Sequence, residues 1–361
     1  VNGAERLLAA CRCEPVDATP VWFMRQAGGS LPRYRALRER HSVVEIARDP
    51  ELCAEVTCDA AETLGVDGAV LFADIMLPLE PMGVDLELAA SGPVIARPIR
   101  SAADVDGLRS VDVESDLGFV LEAIRRVRAR LTGRAAVIGI CGAPFTLAAY
   151  LIEGGPSRDQ AVARAFMHRE PGAWHLLMSR LADVGAAYVR AQADAGADVV
   201  QVFDSWAGSL SAADYEAFAA PYSRRVIAAA PEGTPVIHFA TGSSHLLPAL
   251  AAAGGHVLGV DWRIALGDAW RSAGGEGGRA VQGNLDPALT LAGWERTADG
   301  ATAVLRDAEG LPGHVFNLGH AAPRDADPGV LRDLASLVHD VSARRMAGAA
   351  LAPRAEATAR A

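Results

Sequence analysis

Pro20-Val21-Trp22-Phe23-Met24-Arg25-Gln26-Ala27-Gly28-Gly29-Ser30-Leu31-Pro32-Arg33-Tyr34-Arg35 sets a layout that decides the fold if it repeats. The apolar run Val21–Met24 reads as a short buried strand. It delivers an arginine to its end, and a glycine pair, a proline-bearing turn and further arginines follow. A strand-end cation beside exposed backbone amides is one way to build an anion pocket. An ordinary strand-to-loop transition is the other reading, and the rest of the chain has to choose between them.

The layout recurs. Continuous apolar runs lie at Ala69–Phe72, Ala136–Ile140, Val199–Phe203, Val236–Phe239, Val257–Val260, Ala280–Gln282 and His314–Asn317. Uninterrupted runs of this kind suit parallel strands covered on both faces. Alanine-rich helical patterns separate them, near Pro50–Leu64, Leu117–Leu131, Trp174–Ala195, Ala212–Ala229, Ser244–Ala253, Leu266–Ser272, Pro287–Ala308 and Gly329–Met346. Asp49-Pro50 supplies an N-cap followed by a first-turn proline, and Ser211 caps another start. Eight strand-helix alternations predict an α/β fold of the (β/α)8 TIM-barrel type, as one domain over residues 1–346. Two smaller α/β domains are the alternative, but no Pro/Gly/Ser-rich linker marks a boundary. The Pro- and Gly-rich stretch Leu77–Asp112, with Gly92-Pro93-Val94-Ile95, reads as an insertion carrying a hairpin. The Ala/Arg-rich residues 347–361 read as a frayed tail.

Composition narrows the chemistry. The chain contains no lysine, which removes Schiff-base catalysis, including pyridoxal phosphate enzymes, and the Walker A phosphate loop. A net charge of −10 argues against nucleic-acid partners but leaves room for a locally basic pocket that takes an anionic small molecule. The five cysteines form no disulfide framework, and no Cys/His spacing suggests a metal site. No apolar run is long enough to span a membrane, and the N-terminus lacks a secretory layout. A cytoplasmic protein is expected.

In a barrel the functional side chains sit at the carboxyl ends of the strands. Those ends carry Arg25-Gln26, Asp74, Asp204-Ser205-Trp206, Thr241, Asp261-Trp262-Arg263, Asn284-Leu285-Asp286 and His320, with Tyr150 a turn or two beyond Gly142-Ala143-Pro144. Singly, each has a structural reading. Asp286-Pro287 looks like a helix N-cap, Asp74 a turn cap, Thr241 the start of the next helix. Jointly, Arg25, Asp74, Tyr150, Ser205 and His320 converge on one cleft. They form no Ser-His-Asp spacing and no metal pattern.

With these residues in place the chain resembles the uroporphyrinogen decarboxylase family over nearly its whole length. The matching segments are Met24-Arg25-Gln26-Ala27-Gly28, Phe72-Ala73-Asp74-Ile75, Gly142-Ala143-Pro144-Phe145-Thr146-Leu147 with Tyr150, and Phe203-Asp204-Ser205-Trp206-Ala207-Gly208. Gln282-Gly283-Asn284-Leu285-Asp286-Pro287 and Asn317-Leu318-Gly319-His320 complete the set. The resemblance implies a homodimeric (β/α)8 enzyme of haem biosynthesis, without metal or organic cofactor, that removes carboxylates from the four acetate arms of a cyclic tetrapyrrole. It also implies the site. Asp74 and Arg25 fall on catalytic positions, with Asp74 facing the pyrrole N–H groups. Arg25 and Arg38 fall where substrate carboxylates are held, and arginine there is a proposed proton donor. Gln26, Ala27, Gly28 and Gly29 belong to the same substrate loop. Tyr150, Ser205 and His320 contact substrate, and Phe203 forms an apolar wall.

Two positions depart from the family pattern. Gly29 stands where the family has a second arginine, and Ala321 stands where it has glycine after the histidine. Arg33, at a position usually acidic, is a candidate to restore the charge. Three readings remain open: a uroporphyrinogen decarboxylase that tolerates Gly29, a paralogue that decarboxylates a smaller or less charged aromatic acid, or a weakly catalytic tetrapyrrole-binding homologue. The related cobamide-dependent methyltransferases need His-x-Cys near strand five, where this chain has His238-Phe239-Ala240.

Overall fold

The computed structural model describes residues 1–89, 92–274, 279–308 and 312–346. The tail expected at 347–361 lies outside them. Among the described residues the strands are β1 (Gly68–Val70), β2 (Leu86–Ala89), β3 (Gly92–Ile95), β4 (Ala136–Gly142), β5 (Val199–Phe203), β6 (Val236–Phe239), β7 (Val257–Gly259), β8 (Ala280–Leu285) and β9 (His314–Leu318). All except β2 and β3 form one parallel sheet in the order β1-β4-β5-β6-β7-β8-β9, curled into a TIM-type barrel. Antiparallel β2 and β3 are the hairpin expected inside 77–112.

The expected first strand, Val21–Met24, does not form a ladder. It fills the eighth position of the ring through a single parallel bridge, Val21 to Phe316. On the β9 side Trp22 N donates to Phe316 O (3.3 Å) and Phe316 N to Pro20 O (2.8 Å). On the β1 side Asp67 N donates to Val21 O (2.8 Å). Beyond Trp22 side chains take over from the backbone: Asn317 Oδ1 accepts from Met24 N, and Gln26 Nε2 donates to Gly68 O. A short, side-chain-held stave replaces the predicted strand. β1 is likewise shorter than the expected Ala69–Phe72, because the Phe72 N–H turns to the Thr57 hydroxyl (3.0 Å).

The barrel interior carries a polar chain. The buried Trp22 donates through Nε1 to Gln282 Oε1, and Gln282 Nε2 donates to Gln201 Oε1, both at 2.9 Å. Gln201 sits on β5 and Gln282 on β8, strands that are not neighbours, so this link crosses the lumen.

The helices Pro50–Leu64 and Leu266–Ser272 form as read from sequence. Asp49 caps the first through the Glu51 and Leu52 amides. The expected helix Ala212–Ala229 is two, Ala212–Phe218 and Ala220–Ile227, because Pro221 can only sit in a first turn. Pro287–Ala308 likewise divides at Gly293, whose φ of 95° no helix accepts. The structure adds an N-terminal helix, Gly3–Cys11, and the helices Pro32–Arg38 and Pro144–Glu153, which border the barrel mouth.

At the opposite end a buried carboxylate gathers distant parts of the chain. Asp67 accepts hydrogen bonds from Val21 N (2.7 Å), Arg6 Nη1 (2.6 Å) and His339 Nε2 (2.7 Å). It therefore ties the closing stave to the N-terminal helix and to the last helix, Pro328–Met346. Removing one member of such a buried network leaves its partners desolvated. Asp67→Ala is expected to cost about 3 kcal/mol, at the low end for buried pairs because Arg6 keeps Asp17 (2.7 Å). Chemical denaturation measures this, and a loss below about 1 kcal/mol would mean that the network holds nothing together.

Candidate active site

The turn after the closing stave is built by Gln26. Its Oε1 accepts from Phe23 N (3.0 Å), while its own N donates to Phe23 O (3.1 Å). With Gln26 clasping Phe23 on both sides, Met24 and Arg25 must bulge. Met24 is fixed in turn by Asn317 Oδ1 and by Ala322 N, which donates to Met24 O (2.8 Å). Arg25 is left with φ of 58°, a left-handed conformation that a non-glycine residue adopts at a cost of about 1 kcal/mol or more. Its side chain is exposed, and among the described residues it makes no hydrogen bond or ion pair. Its charge nevertheless acts on Asp74, Tyr150 and His320, which places those three groups around it.

Asp74 follows β1, and its Oδ1 accepts the Met76 N–H (2.8 Å). Burial raises its pKa above the ordinary carboxylate value, and the Met76 amide and Arg25 offset this only in part. Tyr150 projects from helix Pro144–Glu153 and packs edge-on against Trp206, ring centres 5.6 Å apart. Burial, reinforced by Asp74, raises its hydroxyl pKa. His320 lies 6.4 Å from the Phe239 ring, and Phe239 in turn meets Phe203 edge-on at 5.9 Å. Burial lowers the His320 pKa, helped by Arg25 and Arg263, so it is neutral at neutral pH. One cleft thus presents a cation, a desolvated carboxylate, a phenol and a neutral imidazole above an aromatic wall.

Ser205 is held by Thr241 Oγ1, which donates to its carbonyl (2.7 Å), and it follows Asp204. That carboxylate is fully buried and meets Thr146 Oγ1 (3.3 Å), Ser223 Oγ (3.2 Å) and Tyr215 OH (3.4 Å). His238 Nε2 lies 3.7 Å from it, outside hydrogen-bond range, buried in the same layer and turned from the cleft.

The remaining loop residues divide. The Gln26 side chain is buried in the turn it builds, so it shapes the cleft without facing it. Ala27 packs into a small cluster with Leu31 and Ile46. Gly28 admits no side chain, since a Cβ there would stand 2.9 Å from Arg25 O. Gly29 is open: among the described residues only the Arg324 carbonyl oxygen would come within 4 Å of a Cβ there, at 3.9 Å. Arg33 does not fill that opening. It turns outward to Glu55 (2.7 Å). Arg38 stands on the rim, donating to His41 O (2.5 Å) and acting on the Tyr34 hydroxyl rather than on Asp74. Asn317 and Asp204 stand inside the quoted motifs, but the sequence gives neither its role: Asn317 holds Met24, and Asp204 anchors the buried layer beside the cleft. Sequence reading passed over Arg158 and Arg164, although the turn signal Gly154-Gly155-Pro156-Ser157 just before them marks a loop at the barrel mouth.

The raised Asp74 pKa fixes the sign of a stability effect. An acid that binds its proton more tightly when folded pays for ionisation at neutral pH, and that cost disappears below its unfolded pKa. Asparagine keeps the Oδ1 acceptor for Met76. Asp74→Asn is therefore expected to unfold at the same or higher denaturant concentration than the parent at pH 7, with the gap closing near pH 4. A clear loss of stability at pH 7 would show that the carboxylate is a structural anchor.

Comparison with known proteins then adds the chain's relatives. The family model for uroporphyrinogen decarboxylase (URO-D) matches residues 2–341. The uroporphyrinogen decarboxylase of Roseiflexus sp. (strain RS-1) is 48% identical over 345 residues, covering 94% of this chain and 99% of the relative. That of Salinispora tropica is 48% identical over 337 residues, covering 93% and 90%. Among solved structures, a methyltransferase from Methanosarcina mazei superposes with a TM-score of 0.79 at 18% identity, covering 94% of this chain and 99% of its own. At that identity the likeness speaks for the fold alone.

Proposed function

The chain belongs to the uroporphyrinogen decarboxylase family, and from that membership we propose that it converts uroporphyrinogen III to coproporphyrinogen III, as a carboxy-lyase of tetrapyrrole biosynthesis. The observation that carries this reading is the grouping of Asp74, Tyr150 and His320 around Arg25, which is unpaired among the described residues. A polycarboxylate with a protonatable ring meets there both a cation for its arms and an anion for its ring.

The chemistry needs those two charges. A proton added to the pyrrole α-carbon next to the one that bears an acetate arm makes the ring cationic. The electron pair of the bond to the carboxylate then flows into the ring, CO2 leaves, and an exocyclic methylene remains. A proton on that methylene and loss of the ring proton restore the pyrrole, now carrying methyl. The net change is one proton in and one CO2 out for each arm. The ring is its own electron sink, so the step calls for no Schiff base, in keeping with a chain without lysine.

Asp74 is the group that stabilises the ring cation. Its carboxylate is already desolvated and costs no reorganisation as the charge develops. Arg25 pairs a carboxylate arm and is the proposed proton donor. Tyr150, Ser205 and neutral His320 supply hydrogen bonds, Phe203 supplies the apolar wall, and Arg38 steers arms at the rim. Gln26, Ala27 and Gly28 give the turn its shape. We read the enzyme as a cytoplasmic homodimer; among the described residues no helix is long and apolar enough to cross a membrane.

One observation favours a second reading. The space beside Gly29 and the outward turn of Arg33 leave that flank without the family's arginine, as suits a smaller or less charged aromatic acid. Anaerobic incubation with uroporphyrinogen III, followed by chromatography of the products, decides between them. Coproporphyrinogen III is the expected product, and Asp74→Asn should form it at least about tenfold more slowly. Gly29→Arg should raise kcat/KM by about tenfold, the value of one charge-assisted hydrogen bond. No product from the parent chain at high enzyme concentration, with none restored by Gly29→Arg, would rule the first reading out.

A further inference from the structure

Beside the cleft, past Ser205 and Trp206, lies a cavity of about 310 Å³. Arg158, Arg164 and Arg263 line it, an unusual gathering of cations on a protein whose net charge is −10. Its far wall is the loop 157–160, which closes on itself. Gln160 is buried, with its N–H on Ser157 Oγ (3.2 Å) and its Nε2 on Ser157 O (2.7 Å). That closure leaves Arg158 exposed, and among the described residues its guanidinium makes no hydrogen bond or ion pair. Arg164 is tied to the same loop through Asp159 O (3.1 Å).

The near wall is equally built. Thr241 Oγ1 donates to Ser205 O (2.7 Å), and the chain runs so close that a Cβ on Gly208 would lie 2.2 Å from Thr241 O. Arg263 lies over the Trp262 ring, 4.1 Å from its centre, and pairs with Asp261 (2.7 Å). Two carboxylates face this region. Asp261 is occupied by the Gly242 and Arg263 amides and the Arg263 guanidinium. Asp159 accepts the Ala161 N–H at 3.3 Å. Arg158 and Arg164 therefore retain charge for a ligand. The volume suits a carboxylate-bearing arm and excludes a macrocycle, and Ser205 lines it.

We propose that Arg158, Arg164 and Arg263 form an annex to the cleft that receives a peripheral carboxylate arm of the substrate while another arm reacts beside Asp74. The proposal rests on the reading of the substrate as a polycarboxylated tetrapyrrole. Its role is to fix the ring in register: the annex holds an arm that does not react, so its contribution is the same in the ground state and the transition state and appears in KM rather than kcat.

The test uses Arg158→Ala/Arg164→Ala, both on exposed or half-exposed positions, leaving Arg263 with Asp261. Binding is followed by fluorescence with two stable oxidised probes, octacarboxylic uroporphyrin and tetracarboxylic coproporphyrin, and turnover with uroporphyrinogen III. The double variant should melt with the parent, bind uroporphyrin at least tenfold more weakly, lose most of the parent's preference for uroporphyrin over coproporphyrin, and show its defect in KM. Arg158→Lys/Arg164→Lys should recover part of the affinity. Unchanged uroporphyrin affinity in the alanine variant, or a parent chain that does not bind uroporphyrin, overturns the annex. A parent that binds uroporphyrin without turning over the reduced substrate overturns the proposed reaction instead, and the affinity comparison still decides the annex.

Discussion

The site depends on how the barrel closes. Seven strands hold one another by backbone ladders, whereas the eighth position is held by single hydrogen bonds and by the side chains of Asp67, Gln26 and Asn317. A regular strand would alternate its side chains and carry its last residue along the barrel axis. The Gln26 clasp instead folds the chain back on Phe23 and forces Arg25 into a left-handed conformation. The strain at Arg25 is local. The bonds that sustain it lie on either side, in the β9 loop and at the start of β1.

The same arrangement sets the electrostatics. Asp74 is buried enough for its carboxylate to be costly, and the cation that offsets it is exposed. A ligand that brings its own positive charge to Asp74 and its own negative charge to Arg25 satisfies both at once. Around this centre the arginines are sorted by partner. Arg33 is held by Glu55 and Arg263 by Asp261, while Arg158 faces its cavity unpaired among the described residues. An acidic protein can in this way present a basic mouth without a basic surface.

Much of this was legible in the sequence, for a physical reason. Continuous apolar runs such as Ala136–Ile140 and Val199–Phe203 are buried on both faces, so their composition reports their environment. The strand-end residues could be read because the runs before them are mostly apolar, so a charged or hydroxyl group where a run stops stands out. What could not be read was cooperation at a distance. Nothing local in Val21–Met24 says that its partners are Asn317 and Asp67, far along the chain, or that Gln26 faces inward. Arg33 and Arg158 both follow a proline-bearing turn; only the position of Glu55 makes one an outward ion pair. The helix breaks at Ala219 and Gly293 were visible in Pro221 and in the glycine itself, and the helical periodicity on either side obscured them.

Gln26 and its bonds, rather than a strand ladder, hold Arg25 in the cleft. Hydrogen–deuterium exchange of Gln26→Ala against the parent tests this role of Gln26 directly. Faster exchange is expected, confined to residues 20–28 and the contacting loop 319–324, with β4 through β8 as protected as before. Unchanged protection across 20–28, or a loss spread over the whole barrel, would contradict it.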